Sequence, residues 1–343
     1  MFRSLGIVMT LTLVSAACGG SGPAATSAPT AAIATATPAP APLKVKLAYG
    51  NISGDFMPVW VAQEAGIYKK NGLEVELISI DGGARTMAAI LSGDVQAGVV
   101  GGAESLSATA EGASIKTFAV LVPVFPYLLM AAPEIKTVAD LRGKKIGISS
   151  VGGSADIATR QVLRDSGLDP DKDVALISLG SHAQRTAALF AGAIQAAVDD
   201  PPNTTELAEK GFRSVYDLAA KRVASAQTTV VAKADYVAAN KEVIQRLTDS
   251  FIEAVAWTKK NRPEAEKIMR KYFGNSTKPG FTEALEFFIN EVHVPLPFPR
   301  PELWVTAQVE LAKRNPKVKD IDVRTIVDAS FVQSAADRGV DRR

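Results

Sequence analysis

The feature that most constrains the fold is an alternation of short β-branched segments with amphipathic ones, joined by turns that contain paired glycines. From Leu43 onward, "LKVKLAYG", "LEVELISI" and "VQAGVVGGA" predict strands. Between them, "GDFMPVWVAQEAGIYKKNG" predicts one helix opened by Pro58 and closed by Gly72, and "GGARTMAAILSG" predicts another. The βαβαβ order requires a mostly parallel sheet covered by helices.

A second series of the same kind begins near Glu134. Its predicted strands are "KKIGISS", "DVALISLG" and "IQAAVDDPP", and its helices are "SADIATRQVL" and "SHAQRTAALFAG". Ser181 followed three residues later by Gln184 is a capping-box pattern, which indicates a helix start. With 343 residues, of which 47% are hydrophobic, the chain can form two cores, so we expect two lobes with one sheet each.

The C-terminal third of the chain is helical. Residues 225–236 are strand-like and can return the chain to the first lobe. Val243, Leu247 and Phe251 mark one face of a long helix that Asn240 is expected to cap. We expect the C-terminal helices to form a packing layer on the first lobe.

The N-terminal stretch "MFRSLGIVMTLTLVSAAC" has a basic residue, an apolar run and small residues, the layout of a bacterial export signal. Its end, "LVSAAC", resembles the lipobox of bacterial lipoproteins with Ser15 in place of the usual leucine, which implies lipid attachment at Cys18; simple cleavage is the alternative. Residues 19–42 are uncharged and rich in Gly, Ser, Thr, Ala and Pro, which predicts a disordered tether. We therefore expect an extracytoplasmic monomer with a lipid anchor to the membrane, on the periplasmic or cell-wall side.

Composition argues against several classes of function. The net charge is +2 and the chain has no basic stripe, so nucleic acid is not an expected partner. Two histidines and one cysteine without metal-ligand spacing predict no metal site, and nothing in the sequence predicts a cofactor. Cys18 is the only cysteine, so cysteine nucleophile chemistry is excluded, and neither His182 nor His293 lies near a nucleophile-elbow motif.

Six turns, three in each series, follow predicted strands. Ligand loops of open α/β sheets lie at the carboxyl ends of strands, so two lobes that face each other would bring these turns to one cleft. The turns are "GNISGDFMP", "DGGAR", "VGGAES", "VGGSAD", "LGSHAQ" and "VDDPP".

Three long stretches of the chain carry a family resemblance: "FMPVWVAQEAGIYKKNGLEVELISIDGGARTMAAILSGDVQAGVVGGA", "DLRGKKIGISSVGGSADIATRQVLRDSGLDPDKDV" and "ALFAGAIQAAVDDPP". They resemble the NMT1/THI5-like group of type II periplasmic substrate-binding proteins, relatives of the sulfonate, taurine and nitrate binders of ABC importers. The resemblance implies an α/β fold of two lobes joined by two crossovers, near 126–134 and 226–233. Lobe I would hold residues 43–128 and 230–343, and lobe II residues 129–229. The partners implied are a small solute, an ABC permease and its ATPase.

Carried onto this sequence, the resemblance implies ligand contacts from turns of both lobes. Asp156 could instead complement its helix dipole, Arg85 could point to solvent, and His182 could be an ordinary first-turn residue. Phe56 and Tyr127 could stack on a ligand ring or simply pack. The candidate contacts are Ser53, Asp55, Phe56, Gly83, Arg85, Gly102, Ala103, Ser154, Ala155, Asp156, Ser181, His182 and Asp199.

The ligand class stays open between two chemistries. Backbone N–H groups, serine hydroxyls and Arg85 suit a sulfonate or carboxylate. Asp55, Asp156 and Asp199 would repel a bare anion, which favours a larger solute with N–H donors, such as a pyrimidine-like heteroaromatic. Two other functions compete with solute import: an enzyme of the thiamin-pyrimidine-synthase type on the same fold, and a ligand-sensing module.

Overall fold

Ten strands form two separate five-stranded sheets in the computed structural model, which describes residues 41–342. The first sheet has the order β2-β1-β3-β10-β4 and the second β7-β6-β8-β5-β9. The strands are β1 (Leu43–Tyr49), β2 (Leu73–Ser79), β3 (Ala97–Val100), β4 (Ile115–Val124), β5 (Leu128–Ala131), β6 (Lys145–Ile148), β7 (Ala175–Ser178), β8 (Ala196–Asp199), β9 (Arg213–Asp217) and β10 (Ala224–Lys233).

Each sheet is mixed, with four strands in one direction and one reversed. In the first sheet β1 pairs in parallel with β2 and β3, and β10 runs antiparallel between β3 and β4. In the second sheet β6 pairs in parallel with β7 and β8, and β5 runs antiparallel between β8 and β9. The predicted fold class, a two-lobed α/β fold with two mostly parallel sheets flanked by helices, is confirmed.

Thirteen α-helices lie in the described part of the chain. The predicted helix between Pro58 and Gly72 is two helices, because Gly66 adopts a left-handed conformation (φ 70°) and breaks the run. The helices are α1 (Met57–Glu64), α2 (Ile67–Lys70), α3 (Gly83–Ser92), α4 (Gly102–Ala110), α5 (Ser154–Asp165), α6 (His182–Phe190), α7 (Asn203–Glu209), α8 (Ala234–Ala239), α9 (Lys241–Lys260), α10 (Arg262–Tyr272), α11 (Phe281–Phe287), α12 (Val305–Ala312) and α13 (Ser330–Asp337).

The capping signals differ in outcome. The capping box at the start of α6 is confirmed, with Ser181 and Gln184 bonding each other's backbone N–H groups. Asn240 precedes α9 as predicted, but its side chain makes no cap hydrogen bond and donates to the carbonyl of Tyr236 instead. The cap prediction for Asn240 is therefore wrong in its chemistry.

Two short segments connect the sheets. One runs from β4 to β5 through Phe125–Tyr127, and the other runs from β9 to β10 through 218–223. They are joined by hydrogen bonds from Phe125 N to Val223 O and from Leu218 N to Tyr127 O, both 3.0 Å long. The second crossing precedes the predicted segment 226–233, which lies inside β10 of the first sheet. The lobe boundaries given above stay a prediction.

Helix α12 lies against both lobes. It contacts α4, which follows β3 of the first sheet, and α5, which follows β6 of the second. Glu310 of α12 forms an ion pair with Arg164, and Arg314 just beyond α12 lies 3.2 Å from Asp156. The expectation that the C-terminal helices cover only the first lobe is therefore wrong for α12.

Several predictions concern residues beyond the described range. The export signal (residues 1–18), the lipidation residue Cys18 and all but the last two residues of the tether (19–42) lie outside the described residues. Within residues 41–342, no helix combines the length and apolar character needed to cross a bilayer.

Candidate ligand-binding cleft

Five of the six predicted turns converge on one cavity of about 470 Å³. They follow β1, β2 and β3 of the first sheet and β6 and β7 of the second, all at carboxyl ends of strands, where open sheets bind ligands. The sixth turn, after β8, lies behind the cavity wall. The lining residues are Gly50, Asn51, Asp55, Phe56, Asp81, Gly82, Gly83, Ala84, Arg85, Val99, Val100, Gly101, Glu104, Tyr127, Ser149, Ser150, Ser154, Ala155, Leu179, Gly180, Ser181, His182, Gln184, Arg185 and Gln227.

The thirteen candidate contacts divide into two groups. Whether any of them touches a solute stays a prediction. Five, namely Ser53, Gly102, Ala103, Asp156 and Asp199, do not line the cavity. Eight line it: Asp55, Phe56, Gly83, Arg85, Ser154, Ala155, Ser181 and His182.

Asp55 is held in a tight 3₁₀ turn, Gly54–Phe56, directly after β1. Its Oδ2 accepts a 2.5 Å hydrogen bond from the Thr228 hydroxyl, while its buried Oδ1 has no partner in the described chain. Burial raises the pKa of Asp55, and hydrogen bonds from Thr228 and Ser53 counter part of that rise. The turn thus presents a buried carboxylate with one free acceptor atom at the cavity wall.

His182 and Asp199 form a buried pair in the second lobe. His182 Nδ1 lies 2.5 Å from Asp199 Oδ1, which also accepts from Asn203 Nδ2 and from the backbone N–H of Asp200. Burial lowers the pKa of His182, but the charges of Asp199 and Asp200 outweigh burial and raise it overall. His182 faces the cavity and Asp199 orients it from behind, so Asp199 has a positioning role in this geometry.

Asp200 connects the two lobes. Its Oδ2 accepts a 2.7 Å hydrogen bond from Ser53 Oγ, which follows β1 of the first sheet. Burial raises the pKa of Asp200 to about 7, although the charge of His182 works against that rise. Ser53 is therefore engaged across the cleft rather than in the cavity.

The trio His182, Asp199 and Asp200 brings ligand-type atoms within 4.8 Å of one another. Asp199 Oδ1 already accepts three hydrogen bonds, whereas Asp200 Oδ1 is buried with no hydrogen-bond partner among the described residues. Within this trio, His182 and Asp199 form a hydrogen-bonded ion pair.

Asp156 serves its own helix. In the first turn of α5, its fully buried carboxylate accepts from the backbone N–H of Gly152, from Arg160 Nε and from Arg314 Nη1. All of these partners hold it away from the cavity. This geometry fits a carboxylate that stabilises the N-terminus of α5 better than one that contacts a ligand.

Gly102 and Ala103 pack against neighbouring elements. A Cβ on Gly102 would lie 2.6 Å from Ala226 Cβ and 2.7 Å from Trp304 Nε1, and Trp304 donates to the Gly102 carbonyl. Ala103 belongs to a hydrophobic cluster that includes Leu106 and Trp304. Close packing therefore explains the small residues at the start of α4.

Among the lining residues that were not candidates, Glu104, Arg185 and Gln227 each have a buried side-chain atom with no hydrogen-bond partner in the described chain. Gln227 Nε2 donates a 2.6 Å hydrogen bond to Tyr127 Oη, and its Oε1 has no partner among the described residues. Arg185 donates to the carbonyls of Gly180 and Val198. Gln227 lies on β10, far along the chain from every turn, so no local sequence signal could have found it.

The remaining predicted residues form the walls and rim. Phe56 and Tyr127 are both buried and both line the cavity, so they can pack and still face a ligand. Trp60, interpreted as core, is fully buried and stacks on Tyr272 at 4.6 Å between ring centroids. Arg85 is exposed at the rim, where no hydrogen bond or ion pair to its side chain occurs within residues 41–342.

The family model described as NMT1/THI5 like matches residues 53–265. The chain belongs to this family. YtlA of Bacillus subtilis (strain 168), a protein named for an inferred binding role, is 24% identical over 297 residues, covering 84% of this chain and 89% of its own.

Solved structures agree on the fold. The periplasmic aliphatic sulphonate binding protein SsuA of Escherichia coli has a TM-score of 0.69 at 21% identity, covering 85% of this chain and 100% of its own. The periplasmic nitrate-binding protein NrtA of Synechocystis PCC 6803 has a TM-score of 0.68 at 18% identity, covering 87% and 89%. This NMT1/THI5-like chain therefore has the two-lobed fold of periplasmic binding proteins.

Proposed function

We propose that this protein is the extracytoplasmic solute-binding component of an ABC importer, which captures a small organic solute in the cleft and delivers it to a permease. The family match and the cavity between two hinged sheets support this proposal. A cavity of about 470 Å³ suits a small organic molecule. The predicted lipid anchor at Cys18 would hold such a protein near its permease.

The polarity of the cavity favours a solute with N–H donors. Three lining acceptor atoms are buried without partners in the described chain, namely Asp55 Oδ1, Glu104 Oε2 and Gln227 Oε1, against one donor, Arg185 Nε. Buried acceptors cost free energy unless a donor reaches them, so a bound solute that supplies N–H groups gains most. This excess of free acceptors is the observation on which the proposed solute class rests.

Aromatic walls narrow the class further. Phe56 and Tyr127 both line the cavity and come from different segments, Phe56 from the turn after β1 and Tyr127 from the crossing segment before β5. Aromatic rings favour stacked or edge contacts with a flat ring. An amino-substituted heteroaromatic solute, pyrimidine-like in size, satisfies both the acceptors and the rings.

A thermal-shift and calorimetry panel tests the proposal. We expect aminopyrimidines to raise the Tm and to bind with measurable heat, whereas nitrate, ethanesulfonate and benzoate give smaller shifts. The ligand recovered after incubation should be chemically unchanged by mass spectrometry. Preferential binding of the anions would refute the solute class, and conversion of the ligand would favour the enzyme alternative.

A further inference from the structure

Glu104 occupies an unusual position in the cleft. It is the third residue of α4, and its carboxylate lies against the first residue of α3 as well as the residue that precedes α4. A Cβ on Gly83 would be 2.7 Å from Glu104 Oε1, and a Cβ on Gly101 would be 2.5 Å from Oε2. The carboxylate therefore fills the space that two glycines leave open at the starts of both helices.

The starts of two helices are electrostatically suited to an anion. Unpaired N–H groups and the helix dipole give each N-terminus a partial positive charge. Burial raises the pKa of Glu104, while hydrogen bonds from the backbone N–H groups of Glu104 and Gly101 lower it in part. The chain thus supplies its own anion where these helix ends meet the cavity.

A glutamate at this position has a simpler role as well. At the third residue of a helix, a glutamate can bond the N–H of the N-cap residue and stabilise the helix. That role accounts for the position of the carboxylate beside Gly101. It does not account for the contact with Gly83 of another helix, or for Oε2, which is buried with no hydrogen-bond partner among the described residues.

We propose that Glu104 sets the charge selectivity of the cleft: its carboxylate takes the place of a ligand anion at the starts of α3 and α4 and excludes sulfonates and nitrate. The same carboxylate leaves Oε2 for an N–H donor of the solute. This inference rests on the proposed function, because it requires that the cleft binds a solute. It makes Glu104 a specificity-determining residue.

The test compares the wild-type protein with Glu104→Gln, which keeps the side-chain shape and an acceptor for the helix start. Glu111→Gln is the matched control, because Glu111 caps the opposite end of α4, is exposed and lies outside the cavity lining. Ethanesulfonate and nitrate are titrated into each protein by calorimetry, and Tm is measured without ligand. We expect Glu104→Gln to bind ethanesulfonate about tenfold tighter than wild type or better, with Glu111→Gln unchanged.

Three results would overturn the inference: equal binding of ethanesulfonate by wild type and Glu104→Gln, binding by neither, or a gain that Glu111→Gln shares. A lower Tm in Glu104→Gln without a change in anion affinity would assign the residue to helix capping alone. If Glu104→Gln does not fold, Glu104→Ser, which retains a polar cap, takes its place. A gain of anion binding in Glu104→Gln with no aminopyrimidine binding in wild type would keep the selectivity role and refute the proposed solute class.

Discussion

Asp200 is a buried acid that bonds Ser53 across the two lobes. Its pKa is raised to about 7 by burial, and its Oδ1 has no hydrogen-bond partner among the described residues. An acid whose pKa is higher folded than unfolded binds more protons in the folded state. The free energy of unfolding therefore falls as pH rises from about 4 to about 7.

Asp200→Asn tests this linkage. The amide cannot ionise, so the Tm of the variant should fall less between pH 5 and pH 8 than that of wild type. His182, whose pKa the charges of Asp199 and Asp200 raise, contributes stability below its unfolded pKa of about 6.5 that is lost as pH rises; Asp200→Asn removes one of these charges and so reduces this share as well. Thermal melts at four pH values measure the slopes, with the exposed Asp94→Asn as control. Equal slopes in wild type and Asp200→Asn would contradict the assignment.

The sequence located several turn residues at the cavity, but it could not show which side chains have distant partners. Asp55, Arg85 and His182 lie in turns that follow strands and line the cavity, as the rule that ligand loops lie at strand ends predicts, and their contact with a solute stays a prediction. Asp156 follows a strand in the same way, but its carboxylate is committed to Arg160 and Arg314. Arg314 is distant in sequence, so no local pattern could have shown that commitment.

At the scale of elements, ion pairs and a backbone hydrogen bond to Asp156 stabilise the start of α5. Asp156 receives Gly152 N–H, Arg160 and Arg314, and all of its bonds are buried or partly buried. Arg160 has a second partner, Asp171, whose side chain is 58% exposed. The same arginine thus joins one buried and one exposed carboxylate.

The two partners of Arg160 should contribute differently to the free energy of unfolding. Asp156→Ala removes the buried partner of Arg160, leaves this buried guanidinium only the exposed Asp171, and should lower the free energy of unfolding by about 3–5 kcal/mol. Asp171→Asn should lower it by no more than about 1 kcal/mol, because solvent screens the exposed pair. Urea unfolding followed by circular dichroism measures both. Equal losses would show that burial does not decide the strength of these pairs.

The 3₁₀ turn that carries Asp55 depends on the absence of a side chain at Gly54. A Cβ there would lie 2.1 Å from Phe288 Cε2 and 2.8 Å from Met269 Cε, both of which belong to the core. The sequence showed a glycine in a loop, but it gave no sign that a distant phenylalanine closes over it. Gly54 is therefore required for packing, and the packing positions Asp55.

Gly54→Ala should lower the free energy of unfolding by about 1–3 kcal/mol and weaken solute binding, because the turn must move. Gly167→Ala is the comparison: Gly167 has φ +77° with open space around it, so only backbone strain of about 1 kcal/mol is expected, without loss of binding. Urea unfolding and calorimetry report the two effects. A Gly54→Ala protein with wild-type affinity would refute the positioning role of the turn.

At the scale of the whole molecule, several connections within the described residues join the lobes. The crossing segments pair through Phe125 and Leu218, α12 contacts α4 and α5, and Ser53 bonds Asp200 at the base of the cleft. The α/β alternation predicted two mostly parallel sheets, but not the reversed directions of β10 and β5. The sequence also predicted the helix α12, but not its contacts with both lobes, since a periodicity does not say which surfaces a helix covers.

Solute capture between hinged lobes requires the lobes to open and close, and a ligand shifts that equilibrium only through contacts made in one state. The Ser53–Asp200 bond links residues that follow strands of different sheets, so we expect it to form when the lobes are close together and to break when they separate. A second contact across the lobes is the exposed ion pair between Lys278 and Glu206, 2.8 Å apart. The buried bond should contribute more to closure than the exposed pair.

Ser53→Ala should therefore shift the protein toward separated lobes, whereas Lys278→Ala should not. A lost buried hydrogen bond is worth about 0.5–1.5 kcal/mol, so we expect Ser53→Ala to weaken solute binding about two- to tenfold. Small-angle scattering of the ligand-free proteins should give a larger radius of gyration for Ser53→Ala alone. Lys278 is exposed. If Lys278→Ala changed the radius of gyration as much as Ser53→Ala does, any contact across the cleft would be enough to hold the lobes together. Unchanged scattering and affinity in Ser53→Ala would mean that the bond to Asp200 plays no part in closure, leaving the crossing segments and α12 to set the lobe angle.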